Sequence, residues 1–302
     1  MNEINLIQIQ RFSLNDGPGI RTTLFFKGCN LSCPWCANPE SQSAAPQLLH
    51  FGEKCVGCQS CVAACPQKAV TLERGKIRFH RKSCDCCGKC VEACMQDAIR
   101  ICGKTMSVGA ASEILLRDKD YYEESGGGIT FSGGEPLLQP EGLKALAKNM
   151  KRKGIHTALE TAADVPLPVF LEAIQDIDLL LVDVKSGNAQ KLWEFTRGNG
   201  ERIYRNLEEA VRLHKNIIAR IPVIPAFNFD DESMAEIFSQ LEKIGITKVD
   251  LLPYHLMGRK KYGELGREYP FAGNEKSLQK EELVKFKNLA QKYHLTATIS
   301  GK

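Results

Sequence analysis

Thirteen cysteines, most of them grouped in short runs, are the feature that most restricts how this 302-residue chain can fold. An odd number of cysteines at such close spacing, with no secretory signal before them, is not the pattern of a disulfide framework. Thiolates two or three residues apart are typical ligands of metal ions and iron–sulfur clusters. We therefore expect metal or cluster centres to organise part of the fold.

Four cysteines with the spacing C-x2-C-x2-C-x3-C occur twice, 29 residues apart. The run resembles that of bacterial ferredoxins, in which the fourth cysteine of each run binds the cluster of the other run. The resemblance implies two 4Fe-4S clusters, one on Cys55, Cys58, Cys61 and Cys94 and one on Cys84, Cys87, Cys90 and Cys65. Pro66 follows the first run as the ferredoxin pattern requires, whereas Met95 stands after the second. A pair of zinc sites is the alternative, although two identical four-cysteine runs exceed what a zinc ribbon requires.

The remaining run, Cys29, Cys33 and Cys36, directly follows a strand-like segment at 22–26 and offers three thiolates. A cubane cluster has four irons, so three thiolates leave one iron free to bind something else, as the open position of a catalytic metal site does. This run therefore predicts a catalytic centre. Cys86 and Cys102 fit no run and are expected to be free thiols, with binding of Cys86 to the nearby cluster as an open alternative.

Downstream of Gly103 the hydrophobic pattern alternates between strands and helices. Strands are predicted at 128–131, 156–160, 177–184, 217–224, 249–252 and 296–299, and helices at 108–124, 140–153, 167–175, 201–214, 231–244 and 279–293. With the strand at 22–26 this gives about six βα units, too few for an eightfold barrel. We expect an α/β fold, a partial (βα)6 barrel, in which residues 50–103 form a ferredoxin-like insertion domain between residues 1–49 and 104–302.

Polar residues follow one predicted strand after another, where parallel barrels carry their active sites. They are the three-cysteine run, Ser132 to Glu135, Glu160 with Thr161, Asp183 with Lys185, and His255. Each is a weak signal alone, since strand ends often carry polar residues for structural reasons. Together on one rim they predict an active site.

The charge and the hydropathy of the sequence argue against some classes of function. Forty basic and 36 acidic residues give a net charge of +4 without a basic stripe, which argues against a nucleic-acid partner. No apolar run approaches the roughly 18 residues of a membrane helix, and residues 1–11 lack the apolar stretch of a signal peptide. We expect a soluble cytoplasmic protein with no membrane partner.

Five stretches make nearly the whole chain resemble the glycyl-radical-enzyme activating enzymes of the radical S-adenosylmethionine (SAM) superfamily. They are residues 16–21 (Asp-Gly-Pro-Gly-Ile-Arg), 28–41 with the three cysteines, 130–136 (Thr-Phe-Ser-Gly-Gly-Glu-Pro), 183–185 (Asp-Val-Lys) and 252–255 (Leu-Pro-Tyr-His). The insertion is similar to that of activators of glycerol dehydratase, choline lyase and hydroxyphenylacetate decarboxylase. The resemblance implies an oxidoreductase that reductively cleaves SAM to methionine and a 5'-deoxyadenosyl radical. This radical would take hydrogen from a backbone glycine of a partner enzyme and become 5'-deoxyadenosine.

The same resemblance implies roles for individual residues. The iron left open by Cys29, Cys33 and Cys36 would bind the amino and carboxylate groups of SAM, with Lys185 supplying positive charge. Residues implied to contact SAM are Trp35, Cys36, Ala37, Gly133, Gly134, Glu135, Glu160, Thr161, Asp183, Val184, Lys185 and His255. Glu160, Thr161 and Asp183, with the Leu181 carbonyl, resemble a monovalent-cation site. Asp16, Gly17, Gly19 and Arg21 resemble the loop that holds the glycine-bearing peptide. Core packing for Trp35 and a simple Pro-Gly turn for the loop are the structural alternatives.

The implied cofactors are three 4Fe-4S clusters, SAM as cosubstrate and a monovalent cation. The implied partners are a glycyl-radical enzyme, such as an eliminase, lyase or decarboxylase, and a flavodoxin or ferredoxin as reductant; we expect an oxygen-sensitive monomer. The insertion clusters either relay electrons or form a docking platform. A radical enzyme acting on RNA or a metabolite, and a simple electron-transfer module, are the rival classes. Where the family often has a histidine and Thr-Gly, this chain has Leu192 and Thr196-Arg197, to which we assign no role.

Overall fold

The computed structural model describes residues 3–271 and 276–300. Its strands are β1 (Glu3–Ser13), β2 (Arg21–Phe26), β3 (Gln47–His50), β4 (Val70–Glu73), β5 (Lys76–Phe79), β6 (Ile99–Cys102), β7 (Lys104–Ser107), β8 (Gly128–Gly133), β9 (His156–Thr161), β10 (Leu179–Asp183), β11 (Asn216–Val223), β12 (Lys248–Pro253) and β13 (Thr296–Ile299). Its α-helices are α1 (Ser60–Ala64), α2 (Lys89–Glu92), α3 (Val108–Leu116), α4 (Lys119–Ser125), α5 (Pro140–Arg152), α6 (Leu167–Ala173), α7 (Ala189–Thr196), α8 (Gly200–Arg212), α9 (Asp231–Ile244), α10 (Met257–Glu264) and α11 (Val284–Gln291).

One nine-stranded sheet forms the body of the protein, in the order β13-β12-β11-β10-β9-β8-β2-β1-β7. Strands β2 and β8 to β13 run parallel, and β1 pairs antiparallel with both β2 and β7. The carboxyl ends of the seven parallel strands therefore meet at one edge. The predicted mixed α/β fold with a parallel sheet is confirmed.

Local sequence features explain where the helices that cover the sheet begin, end and bury their apolar side chains. In α5, Pro140 occupies the first turn and Leu143, Leu146, Ala147 and Met150 are buried on the face that the sequence predicts. In α9, the Asp230 carboxylate accepts a hydrogen bond from the Ser233 amide at 2.7 Å, and Gly245 ends the helix at a φ of 87°. Among the described residues, no helix is both long and apolar enough to cross a membrane.

The structure departs from the sequence prediction at several short elements. The helix predicted at 108–124 divides into α3 and α4, because the Asp118 carboxylate turns away to accept hydrogen bonds from Arg11 and, at 2.7 Å, from Thr22. Strand β1 was not predicted; its buried Ile4 and Leu6 alternate with polar residues over only a few positions. Strand β7 and helices α7 and α10 were also missed.

The cysteine-rich insertion rests on a small antiparallel pair, β3 with β6, which brings Gln47 opposite Cys102 and His50 opposite Ile99. A second pair, β4 with β5, and the short helices α1 and α2 complete it. The insertion contacts the body at α10, where Arg81 Nη2 donates to the Glu264 carbonyl at 2.9 Å and Lys260 Nζ lies 2.7 Å from Glu53 Oε1. The expected limits of this domain, 50–103, stay a prediction.

Gly127 marks the closest approach in the body of the sheet. A Cβ at this position would lie 1.9 Å from the Ile20 carbonyl oxygen, so Gly127→Ala must separate the starts of β2 and β8. We expect the free energy of unfolding to fall by about 3 kcal/mol, measured by urea denaturation. Gly126→Ala is the control, because its Cβ would meet nothing within 4 Å and only its φ of +65° is strained; it should cost about 1 kcal/mol. Equal losses in both variants would contradict the argument.

Candidate functional site

The three-cysteine loop follows β2 at the carboxyl edge of the sheet and is held on several sides. The Gly28 carbonyl accepts from the Glu135 amide at 2.8 Å, which ties the loop to the end of β8. The Ser32 amide donates to the Thr196 carbonyl at 2.8 Å, and Asn30 Nδ2 donates to the Asp164 carbonyl at 2.7 Å. The loop backbone is thus fixed to the ends of β8, β9 and α7.

Burial gives the three thiols of this loop a strong preference for the protonated form. It raises the pKa of Cys29 and Cys33 to about 12 and that of Cys36 to about 11. Thiolates in such a place need positive charge, which bound iron supplies and Lys185 adds to. The donor set therefore fits an iron–sulfur cluster held by three cysteines.

Helix α10 closes over this loop and was not predicted from the sequence. A Cβ on Gly258 would lie 2.5 Å from the Cys36 carbonyl oxygen, so the helix packs backbone to backbone against Cys36 and Ala37. Lys261 Nζ donates to Asn38 Oδ1 and Glu40 Oε1, each at 2.7 Å. The glycine at 258 within a polar segment is the sequence signal that could have pointed to this contact.

Lys185 and Asp183 stand at the end of β10 beside the cysteines. Lys185 Nζ lies 2.9 Å from Asp183 Oδ2, and the lysine is only 8% exposed. Burial alone would lower the Lys185 pKa, but attraction from Asp183, Cys33 and Cys29 outweighs it and raises the pKa above its usual value. A permanent buried cation therefore faces the three-thiol site. Val184 is 1% exposed, and its contact with SAM stays a prediction.

Glu135 links the ends of β8 and β9. Its carboxylate accepts from Thr161 Oγ1 at 2.7 Å, the Ala162 amide at 2.9 Å and the Leu137 amide at 3.1 Å. The glycines before it are needed for backbone contact, since a Cβ on Gly133 or Gly134 would lie 2.3 or 2.1 Å from β2 or the cysteine loop. Glu135 thus acts inside the protein as a support of the site, and its contact with SAM stays a prediction.

Glu135 also predicts a pH dependence of stability. Burial raises its pKa from 4.5 to about 7, so the folded state binds a proton that the unfolded state has lost over this range. Stability should therefore fall as pH rises from about 4.5 to about 7, by roughly 3 kcal/mol at most. The Tm of Glu135→Gln, which cannot ionise, should change less over this window than that of the wild type. Parallel pH profiles of the two proteins would disprove the assignment.

A buried charge network lies deeper in the sheet, centred on Arg220 of β11. Its Nη1 lies 2.5 Å from Glu160 Oε1, its Nη2 donates to the Asn15 carbonyl at 3.1 Å, and its Nε lies 3.7 Å from Asp250 Oδ2. Glu160 also accepts from Ser132, and burial raises the Glu160 pKa although Arg220 opposes this. Sequence analysis missed Arg220; a charged residue inside an apolar strand was the available signal.

The expected cation ligands are near one another but partly engaged. The Thr161 hydroxyl donates to Glu135 and accepts from the Ala163 amide at 2.8 Å, and Glu160 is paired with Arg220. Leu181 is buried in β10, in register with Glu160. The cation site stays a prediction.

Trp35 lies within the three-cysteine loop, and His255 follows the end of β12 at the same edge of the sheet. Trp35 is 8% exposed and packs against Phe227 with ring centroids 4.5 Å apart and against Phe271 at 5.7 Å, so the packing role expected as the alternative is observed. The Nδ1 atom of His255 is buried and has no hydrogen-bond partner among the described residues. Such an orphaned atom fits the polar group of a bound ligand.

The loop at 16–21 is anchored by its own side chains. Asp16 Oδ2 accepts from Thr23 Oγ1 at 2.7 Å, and the Asp16 carbonyl accepts from Thr130 Oγ1 at 2.6 Å. Gly17 and Gly19 adopt φ of +124° and +68°, which favour glycine. Arg21 is fully buried and donates to the carbonyls of Pro18 and Ile129, so it supports the loop, and its contact with the peptide stays a prediction.

The insertion contains two cavities that collect the cysteines in sets. The first is lined by Cys55, Cys58, Cys61 and Cys94. The second is lined by Cys65, Cys84, Cys87 and Cys90, and by Cys86. These are the sets that the ferredoxin resemblance implies. Within residues 3–271 and 276–300, no three His, Cys, Asp or Glu side chains lie close enough to share one metal ion. A 4Fe-4S cluster does not require this, because each thiolate binds its own iron.

Comparison with known proteins identifies the class of this chain. The Radical SAM superfamily model matches residues 84–238, and the 4Fe-4S dicluster domain model matches residues 48–95. The cysteine loop lies before the first match. A radical SAM methyltransferase from Sphaerobacter thermophilus shares the fold, with a TM-score of 0.55, 12% identity, and coverage of 93% of this chain and 66% of that one. The chain is a radical SAM enzyme with a dicluster insertion, and SAM and 4Fe-4S clusters are its cofactors.

Curated relatives place it further within that class. The choline trimethylamine-lyase activating enzyme of Oleidesulfovibrio alaskensis is 36% identical over 97% of both chains. The benzylsuccinate synthase activating enzyme of Thauera aromatica is 39% identical over 98% of this chain and 92% of its own length. The trans-4-hydroxy-L-proline dehydratase activating enzyme of Clostridioides difficile is 38% identical over 98% and 99%. The chain belongs to the glycyl-radical-enzyme activating enzymes, as the sequence resemblance predicts.

Proposed function

We propose that this activating enzyme holds three 4Fe-4S clusters and cleaves SAM at the cluster bound by Cys29, Cys33 and Cys36. The observation that carries the proposal is the convergence of three thiols, Cys33 buried and Cys29 and Cys36 half-buried, with the buried Lys185 ammonium at the carboxyl edge of the sheet. When bound there, the cluster supplies an open iron and one electron. The two insertion clusters are assigned to the cysteine sets that line the two cavities.

Side chains around the three thiols would bind and orient SAM. Lys185 offers a cation to the carboxylate of its methionine part, and His255 Nδ1 has no other partner among the described residues. Trp35, which precedes Cys36 and packs against Phe227, offers an aromatic ring to the adenine part of SAM. Asp183, Glu160 and Thr161, at the ends of β9 and β10, are the ligands we propose for a monovalent cation beside that carboxylate.

We infer that the protein substrate is a glycyl-radical enzyme of the lyase, dehydratase or decarboxylase kind. The relatives named above are activators of a lyase, a synthase and a dehydratase, and the 4-hydroxyphenylacetate decarboxylase activating enzyme of Clostridioides difficile is 36% identical. Identities of 36–39% favour none of these partners over the others. A flavodoxin or ferredoxin is the proposed reductant, and a monomer the proposed state.

Anaerobic reconstitution tests the proposal. The protein is loaded with iron and sulfide, reduced with dithionite and given SAM. We expect about twelve irons per chain and equal amounts of methionine and 5'-deoxyadenosine. A protein that carries about twelve irons but forms no 5'-deoxyadenosine would instead be an electron carrier.

A further inference from the structure

The two four-cysteine runs of the insertion are copies of one motif, and their exposed rims differ. Val56, 67% exposed, lines the first cavity, and Met95, 90% exposed, stands in the chain between the lining residues Cys94 and Gln96. The positions equivalent by the 29-residue repeat are Asp85 and Pro66. Asp85 is engaged locally, accepting from Gln67 Nε2 and the Cys87 amide, each at 3.1 Å. Only the first rim thus offers two bare apolar side chains beside a cluster cavity.

The first cavity also lies farther from the body of the protein. Strand β3 leaves the body at Gln47, which accepts from Lys27 Nζ at 3.1 Å. Leu48 and Ile101 line the second cavity, whereas His50 and Ile99, two residues farther along the strand pair, line the first. Two residues of strand span about 7 Å. The Cys55 set therefore lies at the outer end of the insertion and the Cys84 set on the side of the body.

Basic side chains accompany the apolar rim. Residues 50–103 contain nine Lys and Arg against five Asp and Glu, so the whole net charge of +4 resides in the insertion. The exposed Lys54 and Arg100 stack on the Phe51 ring, with 5.5 and 5.4 Å between each charge and the ring centroid. Two bound clusters would offset this charge by about −2 each from within the cavities. That cancels the net charge of the insertion, but Lys54, which precedes Cys55, and Arg100 are cations at its surface.

We propose that the rim formed by Val56, Met95, Lys54 and Arg100 is the docking surface for a small acidic one-electron carrier protein, which delivers electrons to the Cys55 set. An apolar centre with a charged border is the composition of a transient protein interface, and opposite charge raises the association rate. The carrier would lose one electron, which the 4Fe-4S clusters held by the outer and inner cysteine sets would pass on to the cluster at the three-thiol site. There it is consumed in breaking the bond between the sulfonium sulfur and C5' of SAM. The proposal rests on the function proposed above.

Stopped-flow oxidation of reduced flavodoxin by the reconstituted protein, without SAM, measures this step directly. For Val56→Glu/Met95→Glu we expect the second-order rate constant to fall at least tenfold, because each glutamate repels an acidic carrier. For Lys54→Gln/Arg100→Gln we expect a smaller fall and a weaker dependence on salt. Leu213→Glu is the matched control, because Leu213 is 55% exposed at the end of α8, outside the insertion. Iron content of every variant verifies that the clusters are present.

The two proposals fail in different ways. Rate constants of Val56→Glu/Met95→Glu equal to those of the wild type and Leu213→Glu would overturn the docking surface. If those variants instead lowered only the glycyl-radical yield with dithionite as reductant, the rim would belong to the protein substrate and the carrier assignment would be wrong. A wild type that oxidises flavodoxin but forms no 5'-deoxyadenosine with dithionite would refute the proposed function and leave the docking surface standing.

Discussion

Cys36→Ala is expected to lower the rate of 5'-deoxyadenosine formation at least a thousandfold, which corresponds to about 4 kcal/mol in the activation free energy. The Cys36 thiol is one of only three donors in its loop, and α10 holds its backbone in place through the close contact at Gly258. Two thiolates cannot keep a four-iron cluster with one open iron. The measurement is anaerobic 5'-deoxyadenosine formation with dithionite and SAM.

Iron analysis and two further cysteine variants make this result specific. Cys36→Ala should lose about four of twelve irons and keep the eight of the insertion. Cys102→Ala removes a buried thiol that lines neither cavity, and Cys86→Ala removes a thiol beside the second one; both should retain most activity. Full activity in Cys36→Ala would show that the three-cysteine loop is not the site of SAM cleavage.

The cysteine sets and the parallel sheet could be predicted because each follows from a pattern within a short stretch of sequence. The four-cysteine motif occurs twice, 29 residues apart, and strands β8 to β12 are apolar runs followed by polar residues. Strands buried on both faces have this composition wherever they occur. These strands run parallel, so their polar carboxyl ends lie at one edge of the sheet.

The residues and the helix that hold the site in place could not be predicted, because the residues they contact are remote in sequence. Arg220 meets Glu160 and Asn15, which are 60 and 205 residues away. Arg21 donates a hydrogen bond to Ile129, which is 108 residues away, and it is fully buried, which its place in the motif did not indicate. Helix propensity does not reveal α10 either, since it is short and held by contacts with the cysteine loop. Such features depend on tertiary packing.

Asp16→Ala is expected to impair the abstraction of hydrogen from the partner's glycine while leaving the cleavage of SAM nearly unchanged. The Asp16 loop lies beside β8 and next to Asn15, which Arg220 holds, and by family resemblance it receives the glycine-bearing peptide. None of its contacts reaches the three-cysteine loop in the described residues. Cleavage of SAM without the partner should therefore stay within a few-fold of the wild type. The glycyl-radical yield, measured by electron paramagnetic resonance on a glycyl-radical enzyme encoded nearby, should fall about a hundredfold, since misplacing the hydrogen donor by about 1 Å costs that much.

Thr23→Val shows whether the Asp16 carboxylate does more than hold the loop. The Thr23 hydroxyl donates to Asp16 Oδ2 at 2.7 Å, so the valine removes the same hydrogen bond and leaves the carboxylate in place. A lost hydrogen bond to a charged group costs about 1.5–3 kcal/mol of stability. If the Asp16 carboxylate contacts the peptide, the fall in glycyl-radical yield caused by Thr23→Val should be less than a tenth of the fall caused by Asp16→Ala. Equal losses in both variants would mean that Asp16 only shapes the loop, and the peptide contact would have to be sought in its backbone.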